Sequence, residues 1–83
     1  MHADEEGTAN AICAAIVDHL RRHPLAADSV EGVARWWLGP AHAIVTTAQV
    51  ERALNALVAL QEMRRLRLMD GTILYSQVPP TRQ

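Results

Sequence analysis

The stretch TTAQVERALNALVALQEMRRLRLMDGTILYS, residues 46–76, holds two periodicities back to back, and the change between them decides the fold. In its first half Thr46 and Gln49 form a cap-like pair, after which Val50, Ala53, Leu54, Leu57 and Gln61 recur at helical spacing on one inward arc. In its second half the period drops to two. Leu66 and Leu68 alternate with Arg65 and Arg67, Asp70-Gly71 reads as a two-residue turn, and Ile73 and Tyr75 alternate with Leu74 and Ser76. That reading sets Leu68 opposite Ile73 and Leu66 opposite Tyr75 on a face turned to the helices, with Arg65 and Arg67 on the outer face. A hairpin of this size is unstable alone and needs helices to cover it.

Two earlier helices supply that cover. Thr8 reads as the cap of a first helix, with Ala9, Ile12, Cys13, Ile16, Val17 and Leu20 on one arc, ended by Arg21, Arg22, His23 and Pro24. Asp28 or Ser29 starts a second, in which Glu31 can reciprocate the cap and Val30, Val33, Ala34 and Trp37 share the inner face up to Gly39-Pro40. Ala41 to Val45 reads equally as a connecting turn or a short strand. Residues 1–7 and 79–83 lack periodicity and are expected to be loose ends of a single domain spanning 1–83.

Eighty-three residues bound the core to a modest size, and a formal net charge of −1 denies the domain the strong basic excess of many nucleic-acid binders. The charge is unevenly spread. From Thr8 to Val78 seven arginines face six acids, so the body is near neutral while Asp4, Glu5 and Glu6 make the start acidic. No apolar run is long enough to span a bilayer and the acidic start lacks the cationic region of a signal peptide, which together predict a cytoplasmic protein with no membrane partner. Cys13 is the only cysteine, which excludes an internal disulfide and a CxxC pair.

Three helices followed by a tight hairpin resemble the winged helix-turn-helix family of small bacterial DNA-binding domains, and residues 46–76 resemble that family's third helix and wing. The resemblance implies an α+β fold, a three-helix winged helix-turn-helix with a C-terminal two-stranded β-hairpin wing, whose third helix enters the major groove of duplex DNA. On that helix Arg52 and Asn55 suit guanine and adenine edges, Gln49 joins them near its start, and Arg65 and Arg67 would hold phosphates. A transcriptional regulator acting as a dimer is the function so implied. Two features depart from the family: the long gap from Gly39 to Val45, and an acid, Asp70, at the wing tip.

The same fold also serves protein docking. Ala56, Ala59 and Met63 project outward on the helical wheel, making the third helix apolar on both sides, and Trp36 lies about 100° from Trp37 and cannot share its core contact. Trp36, Ala56, Ala59 and Met63 are therefore the candidate interface with a protein partner or a second copy. His19 and His23 have a spacing that can share a metal, but no third ligand type completes the set. With no phosphate loop and no paired acids over a cleft, neither an enzyme nor a cofactor is expected.

Overall fold

The computed structural model describes residues 2–39 and 45–78, with side chains from residue 7 onward. Helix α1 spans His2–Arg22, strand β1 is Ala27–Asp28, and helix α2 opens over Val30–Gly32 and widens into a π-helical stretch over Val33–Trp37. Helix α3 is Thr47–Ala59, and strands β2, Met63–Arg67, and β3, Ile73–Gln77, complete an antiparallel sheet in the order β1-β3-β2. The domain is α+β, with three helices and a three-stranded sheet among the described residues. None of those helices is long and apolar enough to cross a membrane.

The helical layer follows its pattern. Ile12, Ile16 and Leu20 of α1, Val33 and Trp37 of α2, and Val50, Ala53, Leu54 and Leu57 of α3 are buried in one cluster with Met63 and Tyr75 of the hairpin. Val30, Ala34, Val17 and Cys13 pack half-buried against it. The helix starts differ from expectation in one case. Helix α1 runs through Thr8 and begins at His2, so residues 2–7 are helical rather than a loose end and Thr8 is not its cap. Ser29 is the cap of α2, its hydroxyl accepting the Gly32 N–H at 3.2 Å, while Asp28 belongs to β1. A Cβ on Gly32 would overlap the Asp28 carboxylate, so a larger residue there would require the Asp28 side chain to turn away.

The capping box of α3 forms as its sequence requires: the Gln49 N–H donates to Thr46 Oγ1 at 3.1 Å and the Thr46 N–H donates to Gln49 Oε1 at 2.9 Å. The other end corrects the sequence reading, because α3 stops at Ala59 and Gln61 is not a buried helical residue but an exposed one at φ 64°. The Gln61 N–H donates to the Val58 carbonyl and the Glu62 N–H to the Leu57 carbonyl, both at 2.9 Å. This is a Schellman termination with glutamine in the left-handed place usually held by glycine.

The hairpin register is shifted by one residue from the expected one. Met63 pairs with Gln77, Arg65 with Tyr75, Leu66 with Leu74 and Arg67 with Ile73. The cause is the turn, whose loop has three residues, Met69, Asp70 and Gly71, rather than two. The Leu68 N–H donates to Thr72 O at 2.8 Å, the Gly71 N–H to Leu68 O at 3.0 Å, and Gly71 takes φ 92°. Asp70 Oδ1 accepts the Thr72 N–H, which holds its carboxyl below the usual range. The slip reverses the faces of β2 alone, for Tyr75 is buried and Ile73 packs against the core as expected. Leu66 and Leu68 are 39% and 44% exposed instead of buried, and Arg65 and Arg67 share the helix-facing side with Tyr75 and Ile73 instead of the outer one. The two-residue β1 adds a third strand, Ala27 pairing with Ser76 and Asp28 with Tyr75.

Candidate nucleic-acid interface

Helix α3 and the hairpin meet through one polar cluster. Arg65 Nη1 donates to Asn55 Oδ1 at 3.3 Å, and the Tyr75 hydroxyl donates to the same oxygen at 3.5 Å. Tyr75 is buried by its ring, while Asn55 and Arg65 are exposed. Asn55 thus pins the strand to the helix with its carbonyl oxygen, and only its amide nitrogen is left to face outward as a donor. Tyr75 faces the helices in either register, but the sequence spacing sets Leu66 opposite it, and only the shifted register brings Arg65 to the same cluster.

The other sequence-derived candidates divide around this cluster. Arg52, three residues before Asn55 on the outward side of α3, is exposed and lines a narrow cleft of about 50 Å³ with Gln49, Ala9 and Ile12. Gln49 is half-buried and its Oε1 is occupied at the α3 cap, so it acts first as a structural residue. Arg67 is exposed further along β2. Between these cations lie Ala48 and the exposed Glu51, an acid that offsets part of their charge. Arg64 projects from the other face of the sheet, where its Nε donates to Ser76 Oγ at 3.4 Å.

The docking candidates separate. Ala56 and Ala59 are exposed and Trp36 is 71% exposed beside a buried Trp37. Met63 is a correction: α3 ends before it, and as the first residue of β2 it is 2% exposed in the core and cannot line an outer interface. The largest uncovered apolar surface on the sheet is instead its outer face and tip, with Leu66, Leu68 and Met69.

The remaining polar groups are structural. The His19 ring stacks on Trp37 at 4.5 Å and lies 4.7 Å from His23; burial, then the nearby charges of His23 and Arg22, lowers its pKa from 6.5. Among the described residues no group of three or more His, Cys, Asp or Glu side chains could hold a metal. Cys13 Sγ donates to the Ala53 carbonyl at 3.8 Å, and burial, reinforced by Glu62, raises its pKa, the reverse of a reactive thiolate. Gln77 Oε1 is buried with no hydrogen-bond partner, beside a cleft between the C-terminal half of α1 and the base of the hairpin. Of the stretch Ala41 to Val45, read as turn or strand, residues 41–44 lie outside the described residues and Val45 packs half-buried against the core. No family model, no curated protein and no solved structure matches this chain.

Proposed function

We propose that this domain binds duplex DNA as a winged helix-turn-helix, with the outward face of α3 toward the major groove and the β2 arginines on the phosphate backbone. The element order α1-β1-α2-α3-β2-β3 with sheet order β1-β3-β2 is compatible with that fold. The observation that carries the reading is the Arg65–Asn55 hydrogen bond, because it makes the arginine strand and the third helix one continuous polar surface. A domain that docked a protein through α3 would need a contiguous apolar patch at that place; α3 offers exposed Ala56, Ala59 and, at its end, Leu60, but these share its outward side with Arg52 and Asn55, and Leu66 and Leu68 lie on the other side of the sheet.

The roles follow from chemistry. Arg52 reads a base edge from one flank of α3, and Asn55 does so with its free amide nitrogen. Arg65 and Arg67 contact phosphates and carry no sequence preference. With so few cations and a near-neutral body, one copy binds weakly, so the regulator acts as a dimer that doubles the phosphate contacts. The exposed Trp36 favours a second reading, a protein-docking module, and is also the natural place for a second copy to associate. Selection of a preferred site from random duplexes, followed by binding of Arg52→Ala, tests the first reading. A loss of roughly 1 to 3 kcal/mol at the preferred site, with little change on unrelated duplexes, is the expected result. Failure to enrich any site and equal binding of the variant would favour protein docking.

A further inference from the structure

The outer edge of the sheet is open along β2. In the order β1-β3-β2 the strand Met63–Arg67 has, among the described residues, a neighbour on one side only. Its free side can be assigned residue by residue. The Leu68 N–H bonds Thr72 and the Glu62 carbonyl accepts from Val78, so positions 62 and 68 turn their backbone groups toward β3. The register is unbroken between them, so alternation turns 64 and 66 the same way and directs the N–H and C=O groups of 63, 65 and 67 to the open edge. Three side chains give that edge a character. Arg65 and Arg67 stand on its helix-facing side and the part-exposed Leu66 between them on the other.

We propose that β2 is a docking edge for an extended acidic protein segment, added antiparallel as a fourth strand, with acidic residues on the side of Arg65 and Arg67 and an apolar residue beside Leu66. Charge decides the occupant. A second copy pairing its own β2 here would bring arginine against arginine in every antiparallel register that pairs three or more residues of Met-Arg-Arg-Leu-Arg, and like charges across a pair are destabilising. The arginines that keep copies apart thus select an acidic partner. The other edge, β1, is two residues long and carries Asp28, so it offers neither the length nor the charge. The inference stands apart from the DNA reading, since duplex DNA needs none of the edge amides, but both ligands use Arg65 and would compete.

The test uses the full chain, isotopically labelled, and a blocked peptide of alternating glutamate and valine, Glu-Val-Glu-Val-Glu-Val-Glu, at low salt and neutral pH. The expected result is amide shifts concentrated at Met63, Arg65 and Arg67, with slowed solvent exchange there. The variant carrying Arg65→Gln and Arg67→Gln should bind about fivefold more weakly, as for two exposed charge pairs. The same peptide N-methylated at every glutamate, which removes the N–H groups that would face β2, should not bind. Equal binding of the methylated peptide, shifts spread over Arg21, Arg22 and Arg35, or no shift at all overturns the proposal. Each of these outcomes leaves the DNA titration to be judged by itself.

Discussion

The two faces of the hairpin carry their residues in opposite senses. On the helix-facing side Met63 and Tyr75 are buried while Arg65 and Arg67, on the same side of the same sheet, are exposed; on the outer side Leu66 and Leu68 are part-exposed. The difference lies in how far the helices reach. The end of the hairpin next to α3 is core, and there the pleat sorts side chains by burial. Toward the tip the cover thins among the described residues, Ile73 being half-buried against the core while its partner Arg67 is exposed, so polarity and pleat separate, and the arginines lie on the helix-facing side because of the register.

That contrast can be broken most sharply at its two ends. Met63→Ala should cost about 3 kcal/mol of unfolding free energy, since it empties a fully packed site, whereas Leu66→Ala should change it by under about 0.5 kcal/mol. Urea denaturation of the two variants checks this, and equal losses would mean that the outer face is covered. The turn that sets the register is the next weak point. Gly71→Ala should lose about 1 kcal/mol, because alanine disfavours φ 92°, and a variant with unchanged stability would contradict the left-handed Gly71 that closes the turn.

The smallest effect contrasts the hairpin with the helical layer, through pH. The folded state holds His19 with a pKa below 6.5, while the unfolded chain takes up a proton near that value. The neutral form is the one favoured by folding, so this contribution is present above pH 6.5 and declines as the pH falls below it. Thermal melting from about pH 7.5 to about pH 5.5 should show a drop that His19→Gln reduces. A parallel drop in the variant would place the sensitivity elsewhere.

Much of the helical layer was legible because burial and period agree there. Ile12, Ile16 and Leu20, the Thr46–Gln49 box and the inward Val50, Leu54 and Leu57 are all visible as spacing. What sequence could not fix are choices among nearly equal local geometries. Asp-Gly serves a two-residue or a three-residue turn, and one residue of loop length exchanges the faces of β2 while β3 keeps its own. A left-handed Gln61 carries none of the glycine signal of a helix end, which is why α3 and Met63 were extended too far. The two-residue β1 has no period at all, since Ala27 and Asp28 pair with β3 only through tertiary placement. For the candidate site, Arg52, Arg65 and Arg67 were identified as exposed cations, but the Asn55–Arg65–Tyr75 cluster was not, because it follows from the register.

The joining of α3 and the β2 arginines into one DNA-binding surface is tested most directly by the salt dependence of duplex binding. Fluorescence anisotropy across about 50 to 200 mM salt should give a linear fall of log affinity with log salt for the unmodified protein. The variant carrying Arg65→Ala and Arg67→Ala should lose roughly two units of that slope per copy while keeping its order of preference among sequences. An unchanged slope, or no binding by the folded protein even at the lowest salt, would contradict the account.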